Sequence, residues 1–529
     1  MRGLGDRVAI PAYDRSDCTV GIAHIGVGAF HRSHQAAYLD QLMNAGLALD
    51  WAVCGIDLLP ADRPKAEIFA RQDGLYTVMA KHSDGSIEAR VIGALAEYIF
   101  APDARDRAVS KLTDPRTRIV TLTVTEGGYN VHPASGEFDT DNPAIQADLR
   151  RGAVPATVFG LVTEALRRRR AEGVPPFTIA SCDNLQANGE LARRMFAAFA
   201  DLAEPGLGDW MREWVAFPSS MVDRITPVTT AEDVARLRDD FGVDDGWPVV
   251  CEPFTQWVLE DNFPAGRPPW ERCGVQLVGD VTAYELMKLR LLNASHQALG
   301  YAGYLAGYRY VHEAATDPVF AEFVTGYMHA EARPTLAPVL GVDLDRYIGT
   351  LVERFANPAI RDTLARLCAS SSDRIPKWVL PVIRDNLAMD GEVARSAAIV
   401  ASWARYAEGS DESGQPIEIV DRLRDDLMAR ASGQRNDPLS FVRNERLFGD
   451  LAHHERFAAV YLRAIDSFHQ FGVRATLDKS VRNLPKRRGV TCSWSLAAKN
   501  SRVAARRYWH AVRARSSRGS GQRWRHQGC

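Results

Sequence analysis

An α/β fold followed by a mainly helical domain is the architecture that this sequence of 529 residues predicts. Three observations lead to it. A short buried strand at 18–25 turns through glycines into a helix. Further strands rich in β-branched residues follow at 51–56, 118–125 and 177–181. From about residue 280 the apolar residues recur at helical spacing over long segments instead.

The length of the chain predicts two large domains. It is too long for one compact core, and its 46% hydrophobic and 25% charged residues are ordinary for a globular protein. Because the pattern changes near residue 280, we expect an α/β domain over 1–280 and a helical domain over 281–477. A tail over 478–529 differs from both in composition.

Composition also excludes several classes of protein. The first residues lack an apolar leader, and no stretch of about 18 apolar residues occurs, so we expect no membrane span and a cytoplasmic location. The eight cysteines contain no Cys-x-x-Cys pair, and His31 and His34 form a close pair without further ligand types nearby. We therefore expect reduced thiols and chemistry that needs no metal.

The tail carries most of the charge asymmetry. From Asp478 onward there are 14 Lys or Arg and one acidic residue, which leaves residues 1–477 at about −15. The tail has no sustained period, so we expect it to be disordered. A nucleic-acid-binding arm is an alternative, which the acidic body does not favour. A fortuitous extension of the chain is another.

The first strand, turn and helix form the start of a βαβ unit. Gly26-Val-Gly28 follows the strand and leads into a helix that we expect to run through 36–43. The second strand ends at Asp57, about 30 residues beyond the first glycine, and Asp62 follows. This order predicts a Rossmann-type dinucleotide-binding domain.

Polar residues follow the carboxyl ends of the later strands as well. Glu126 and Gly127 come after the strand at 118–125, and Asn184 comes after the strand at 177–181. In an open α/β sheet, ligands bind beyond the carboxyl ends of the strands. We therefore expect Gly26, Asp57, Glu126 and Asn184 to border one crevice.

The glycine turn predicts NAD as the cofactor. Glycines let the backbone approach a pyrophosphate, and Ala29 and Phe30 would open the helix whose amino end favours it. The third glycine position holds His31, so the fingerprint is incomplete and an ordinary loop is an alternative. Asp57 or Asp62 would bind ribose hydroxyls and favour NAD over NADP, although Arg63 could accommodate a 2′-phosphate.

The segment from Lys288 to His296 is the strongest catalytic signal. An α-helix would place Asn293 about 140° and His296 about 80° around from Lys288, with Glu285 near 60°. These polar groups share an apolar sector, where desolvation would lower the pKa of the lysine toward that of a working base.

Two alternatives remain for this segment. It could be a buried helix whose polar residues are simply satisfied. Tyr284 and Lys288 also have the spacing of the tyrosine and lysine pair of short-chain dehydrogenases. The pair lies roughly 260 residues after the glycine turn, in another domain, which opposes that interpretation.

Several motifs together resemble the polyol-specific long-chain dehydrogenases, the mannitol dehydrogenase family. They are Gly26-Val-Gly-Ala-Phe-His-Arg-Ser-His-Gln35, Thr125-Glu-Gly-Gly-Tyr129, Ser181-Cys-Asp-Asn184, Val222-Asp-Arg-Ile-Thr-Pro227 and Lys288-x4-Asn293-x2-His296. The resemblance covers about residues 18–475 in the same order. The tail lies outside it.

The resemblance implies a role for each matching residue. Lys288 is similar to the general base, Asn184 and Asn293 to the pair of amides that hold the substrate oxygen, and Glu285 to a glutamate that connects the lysine to water. The implied substrate-binding residues are Asp223, His296, Arg366 and Arg374.

Three features qualify these assignments. Asp223 and Arg224 could instead form a buried ion pair. Relatives have a lysine where Arg374 stands, which bears on substrate preference. They often have an acid where Ala61 stands, which bears on the choice between NAD and NADP.

The implied reaction is the reversible NAD-dependent oxidation of a sugar alcohol to its 2-ketose, D-mannitol to D-fructose, by hydride transfer. A hexuronate reductase of the same superfamily, acting on a fructuronate-type substrate, is the alternative, since Arg366 or Arg374 could bind a carboxylate. We expect a small polyol or ketose as the substrate and a monomeric protein.

Overall fold

The computed structural model of the protein describes residues 7–132 and 135–482. Its strands are β1 Val8–Ala9, β2 Val20–Ile25, β3 Ala52–Asp57, β4 Tyr76–Lys81, β5 Ile87–Ile92, β6 Leu95–Phe100, β7 Ile119–Leu122, β8 Thr178–Ser181, β9 Ser220–Asp223, β10 Val249–Cys251, β11 Gln256–Glu260 and β12 Gln276–Val278.

Helices of the amino-terminal half surround these strands. They are α1 Ala29–Ser33, α2 Gln35–Asn44, α3 Arg63–Arg71, α4 Arg105–Thr113, α5 Thr125–Gly128, α6 Pro143–Asp148, α7 Val158–Glu172, α8 Asn188–Ala203, α9 Leu207–Trp214 and α10 Ala231–Phe241.

The carboxyl-terminal half of the described chain is helical. Its helices are α11 Thr282–Met287, α12 Ala294–Leu305, α13 Val311–Thr316, α14 Pro318–Tyr327, α15 Leu344–Phe355, α16 Leu364–Cys368, α17 Ser371–Trp378, α18 Leu380–Ala388, α19 Ala394–Tyr406, α20 Arg424–Gly433, α21 Glu445–Phe448 and α22 Glu455–Arg482. Two π-helical segments, Lys288–Asn293 and Met328–Ala332, continue α11 and α14.

The central sheet has five parallel strands in the order β6-β3-β2-β7-β8. Consecutive strands run outward from β2 in both directions, so the order reverses between β2 and β7, where an open α/β sheet places its ligand crevice. Alternate residues of the strands bury opposite faces. On β2, Ala23 and Ile25 pack in one core with α4, α7 and α8, whereas Ile22 packs in a second core with α2.

Two smaller sheets complete the first half. One has the order β1-β5-β4-β10, with β4 and β5 antiparallel, and the other has the order β12-β11-β9. Met221 of β9 and Val258 of β11 belong to the core of the helical half. The small sheet of β9 and β11 therefore joins the Rossmann half to the helices.

The predicted fold class is confirmed: a Rossmann-type domain precedes a mainly helical one. The predicted strand at 118–125 is too long, because β7 ends at Leu122 and the expected loop at 126–129 begins as the short helix α5. The expected continuous helix after the glycine turn breaks at His34, which has φ −114° and ψ −87°.

The carboxyl end of the described chain also differs from the expectation. Helix α22 is interrupted at Gly472, where φ is 77°, and then continues to Arg482, past the predicted domain end at 477. The predicted disorder of the tail otherwise concerns residues 483–529, which lie outside the described residues. Within the described residues, no helix has the length and apolar character needed to cross a membrane.

Candidate active site

The glycine turn lies at the carboxyl end of β2. Gly26 has φ +93°, and a Cβ there would lie 2.3 Å from the carbonyl oxygen of Thr123, so only glycine fits without a shift of the backbone. Gly28 precedes α1, whose first amides, beginning with Ala29 and Phe30, have no acceptor within the helix. The turn therefore has the bare backbone and free amides that hold a pyrophosphate.

The carboxylate of Asp57 shapes this turn from inside the protein. Asp57 is buried and accepts hydrogen bonds from the Val27 amide at 2.8 Å and the Tyr98 hydroxyl at 2.8 Å. Burial raises its pKa, and the Lys65 ammonium at 3.3 Å opposes that effect. Its predicted contact with a ribose stays a prediction, but the structure gives the carboxylate a different task, which is to orient the Gly26–Gly28 backbone.

Asp62 reaches solvent where Asp57 does not. Its side chain is 17% exposed and lies 2.6 Å from the Lys65 ammonium. Arg63, the residue that could accommodate a 2′-phosphate, instead forms a two-pronged ion pair with Asp103 at 2.8 and 2.7 Å. Of the two predicted ribose acids, Asp62 is the accessible one.

The loop after β7 is tied to the end of β8. Asp183 accepts hydrogen bonds from the Val124 amide at 3.1 Å, the Thr125 amide at 2.9 Å and the Tyr129 hydroxyl at 2.8 Å. These bonds hold Glu126 and Gly127 beside Asn184. Glu126 is exposed and lies 3.4 Å from the Lys377 ammonium of α17, so the helical half reaches this edge of the crevice.

The amine of Lys288 crosses from the helical half to the Rossmann half. It donates a hydrogen bond to Oδ1 of Asn184 at 2.6 Å and another to the carbonyl oxygen of Val222 on β9. Lys288 is 6% exposed. Burial lowers its pKa to about 8, and the nearby Arg354 cation acts in the same direction, whereas Asp223 and Glu285 oppose it. The lysine therefore exchanges between its charged and neutral forms near pH 8, where an ordinary lysine would be fully protonated.

The segment that carries Lys288 is a π-helix rather than the expected α-helix. In a π-helix the hydrogen bonds join residues five apart, so one turn brings Lys288 and Asn293 onto the same face. An α-helix would separate them by about 140°. Short π-helical segments occur often at functional sites. The predicted angles, which assumed an α-helix, were therefore wrong.

Two buried polar atoms at this site have no hydrogen-bond partner among residues 7–132 and 135–482. They are Oδ1 of Asn293 and Nε2 of His296. Burial lowers the pKa of His296 to about 3, so its imidazole is neutral, and its ring packs against Phe355 at 4.8 Å between centroids. Buried polar groups are normally satisfied, so these atoms are open to a hydrogen bond from a bound ligand.

Glu285 lies one helical turn before Lys288. Its two oxygens accept the Ala187 amide at 3.2 and 3.1 Å. Burial raises the pKa of Glu285 to about 7. This carboxyl group lines the same cleft as Lys288 and Asn184. A carboxyl group with a pKa near neutrality is suited to pass a proton between the lysine and solvent.

A buried group of three charges supports the site, and two of its members, Arg354 and Glu252, were not predicted from the sequence. Arg354 donates to both oxygens of Asp223, at 2.7 and 2.9 Å, and to both oxygens of Glu252, at 2.9 and 2.7 Å. Burial alone would raise the pKa of Asp223, but the guanidinium holds it below its ordinary value. The suggested Asp223–Arg224 pair is wrong, because Arg224 donates to the carbonyl oxygens of Ser33 and Glu252.

A signal for Arg354 was present in the sequence. On α15 it continues the buried stripe of Tyr347, Ile348 and Leu351. A cation at a core position of an amphipathic helix implies a buried carboxylate partner. The identity of that partner did not follow, since Asp223 lies 131 residues away along the chain.

The two other predicted arginines lie on α16 and α17. Arg366 forms a two-pronged ion pair with Asp362, with one contact at 2.6 Å, and its side chain is 52% exposed. Arg374 donates to the carbonyl oxygens of Arg366 at 3.1 Å and Leu367 at 3.0 Å. Arg366 and Asp362 both act electrostatically on the imidazole of His296. Their predicted contacts with substrate stay predictions.

Potential metal ligands are not grouped in the described part of the chain. No three His, Cys, Asp or Glu side chains there could hold a metal ion together. The predicted metal-independent chemistry stays a prediction.

Comparisons with known proteins agree with this geometry. Residues 20–272 match the model of the mannitol dehydrogenase Rossmann domain, and residues 280–468 match that of the mannitol dehydrogenase C-terminal domain. Mannitol 2-dehydrogenase of Neosartorya fischeri is 45% identical over 484 residues, which cover 90% of this chain and 96% of the relative. Mannitol 2-dehydrogenase of Pyricularia oryzae is 43% identical over 480 residues, covering 90% and 95%.

Two solved structures share the whole fold. Pseudomonas fluorescens mannitol 2-dehydrogenase, solved as a ternary complex with NAD and D-mannitol, is 45% identical with a TM-score of 0.83, covering 91% of this chain and 98% of that one. A D-sorbitol dehydrogenase in substrate-free form is 37% identical with a TM-score of 0.84, covering 90% and 98%.

We expect Arg354→Met to lower the free energy of unfolding by about 3–5 kcal/mol, because it leaves two carboxylates buried without their cation. Chemical denaturation measures this change. Arg212→Met is the matched control: on the surface Arg212 also bridges two carboxylates, those of Asp201 and Asp209, and its loss should cost about 0–1 kcal/mol. Equal effects in the two variants would contradict the assigned role of the buried group.

Proposed function

Since this chain belongs to the mannitol dehydrogenase family, we propose that it catalyses the reversible NAD-dependent oxidation of D-mannitol to D-fructose, with Lys288 as general base and without a metal. The observation that carries the proposal is the buried amine of Lys288, held 2.6 Å from Asn184 at the edge of the nucleotide-binding crevice. The residues proposed as base, as oxygen-binding amides and as cofactor turn come from three separate parts of the sequence.

The residues at the glycine turn fit NAD. Gly26 lets the backbone turn tightly against Thr123, and the amino end of α1 presents amides to a diphosphate. Asp62 would accept ribose hydroxyls and disfavour a 2′-phosphate, as in other NAD-binding sites. When bound, NAD accepts a hydride from the carbon that carries the reacting hydroxyl.

Lys288 removes the hydroxyl proton. Its low pKa of about 8 provides neutral amine near physiological pH, and burial is the main cause of that shift. Because the lysine donates to Oδ1 of Asn184, the amide NH₂ of Asn184 is left to point elsewhere. That NH₂ can donate to the developing alkoxide, and the NH₂ of Asn293 can supply a second bond.

The proton then leaves the interior through a neighbouring carboxyl group. Glu285, with its pKa near 7, lines the same cleft as Lys288 and Asn184 and can exchange protons with solvent there. His296 and Asp223 would hold the other hydroxyls of the polyol. Nε2 of the neutral His296 imidazole is buried without a partner in the described residues, so it can form a hydrogen bond with such a hydroxyl.

We expect the rate of mannitol oxidation to rise with pH and level off above a midpoint near 8, because only neutral Lys288 accepts the proton. Fructose reduction should fall over the same range, since it needs the protonated amine. Lys288→Ala should lower kcat by about 10²–10⁴-fold while NADH binding persists. Steady-state rates and fluorescence titration of NADH provide these values.

Asn293→Ala is the companion variant, with an expected loss of about a hundredfold in kcat but an unchanged pH midpoint. Lys111→Ala, which removes a lysine paired with Glu97 at 2.8 Å far from the crevice, should resemble the native enzyme. Near-normal turnover of Lys288→Ala at high pH would exclude lysine as the base.

Relative rates on different substrates test the substrate class. We expect mannitol with NAD to exceed sorbitol, arabinitol and mannitol with NADP in kcat/KM, and fructose to exceed fructuronate in the reverse direction. Asp362 already neutralises Arg366, so a substrate carboxylate has less to gain there. A preference for fructuronate would instead establish the hexuronate reductase.

A further inference from the structure

A second cleft, of about 730 Å³ with its open mouth included, shares no lining residue with the cleft at Lys288. One wall is a stripe along a helix: His34, Ala37, Tyr38 and Gln41 follow the three- and four-residue spacing of a helical face. The wall thus belongs to α2 and the residue before it.

The antiparallel pair β4–β5 forms the floor of this cleft. Val78 lies opposite Arg90, and Ala80 lies opposite Glu88. Because residues two apart on a strand point to the same side, these four line the cleft together. The floor therefore presents one cation and one carboxylate between apolar residues. Arg224, which directly follows β9, and Thr255 form the third wall.

The guanidinium of Arg90 lacks a direct partner. Its side chain makes no hydrogen bond or ion pair within residues 7–132 and 135–482, although Arg90 is only partly exposed. The carboxylate that acts on it electrostatically is Asp40. Asp40 is already bonded to the Tyr13 hydroxyl at 2.7 Å, the Gly93 amide at 2.9 Å and Asn44 at 2.8 Å. The fork of Arg90 is free to bind an anion.

Two further side chains that line the cleft, Arg224 and His34, have hydrogen-bonding atoms without a partner in the described residues. Arg224 uses Nε and one terminal nitrogen on the carbonyl oxygens of Glu252 and Ser33, which leaves its second terminal nitrogen. His34 is fully buried and donates through Nε2 to the carbonyl oxygen of Gln256 at 2.9 Å, and its Nδ1 has no partner in the described residues. Burial lowers the pKa of His34 to about 3, so Nδ1 is an acceptor.

We propose that this cleft binds a small hydroxylated oxyanion, a sugar phosphate or a sugar acid, with its acidic group against Arg90 and Arg224 and its hydroxyls toward Glu88, Gln41 and Thr255. Arginine forks match the geometry of carboxylates and phosphates. The carboxylate of Glu88 can accept hydrogen bonds from hydroxyls, but its one negative charge does not balance the positive charges of both Arg90 and Arg224. A neutral polyol would leave the cations unmatched, and a long polymer would not fit in the enclosed part.

The test uses the full-length protein saturated with NADH, so that the nucleotide crevice is filled. Isothermal titration calorimetry with fructose 6-phosphate, gluconate and inorganic phosphate separates the two sources of anion from the bare ion. We expect saturable binding of fructose 6-phosphate, of gluconate or of both, and weaker binding of inorganic phosphate. Arg90→Gln should weaken the binding of the preferred ligand about tenfold or more.

Two further variants make the result decisive. Ala37→Leu fills the cleft from the α2 wall without changing charge, and it should weaken binding by a similar factor while turnover of the polyol persists. Arg116→Gln removes a surface arginine paired with Asp114 at 2.7 Å and should leave binding unchanged. The absence of saturable binding to the native protein would overturn the proposal. So would equal affinities of Arg90→Gln and Arg116→Gln, or weakening by Arg90→Gln without any by Ala37→Leu.

Discussion

Lys288 is removed from water, and most of the functional geometry of this protein follows from how that desolvation is arranged. A buried ammonium is costly unless it is paired, and the protein compensates it only in part. Asn184 and the Val222 carbonyl accept its hydrogen bonds, but neither is an anion. The nearest carboxylate, that of Asp223, is itself bound on both oxygens by Arg354. The amine therefore keeps a pKa low enough for a base.

The two halves of the chain each supply part of this environment. The Rossmann half contributes Asn184 after β8, the Val222 carbonyl on β9 and the glycine turn after β2. The helical half contributes Lys288, the adjacent π-helical turn and Arg354. Neither half alone would bury the amine, because the apolar core of the helices includes Met221 and Val258 from the small sheet. Burial of the base and docking of the two halves are the same event.

Local signals in the sequence were sufficient for the Rossmann half. Gly26 follows a buried strand and precedes a helix, and the carboxyl ends of parallel strands must meet at one edge, so the positions of Gly26, Glu126 and Asn184 followed from pattern alone. The same rule correctly placed Asp57 at the end of a strand, but it did not predict which way the side chain points. Its carboxylate turned inward, because the Val27 amide and the Tyr98 hydroxyl needed an acceptor there.

What the sequence did not reveal depended on contacts between distant residues. A π-helical turn has no composition of its own and is retained by the packing around it, so an α-helix was the expected geometry for 288–293. Arg354 and Glu252 lie 131 and 29 residues after Asp223 in the sequence. A local pattern carries no information about pairing between residues so far apart in the chain. The break at His34 likewise arises where its ring packs among Phe30, Tyr38 and Trp257.

The central claim is that burial lowers the pKa of Lys288 well below its ordinary value before any substrate binds. Nuclear magnetic resonance titration of the protein with labelled lysine side chains, with the Lys288 signal assigned by its loss in Lys288→Ala, measures this directly. The structure predicts a midpoint near 8 for this residue. A midpoint close to the ordinary lysine value of 10.5 would contradict the account, whatever the enzyme's activity.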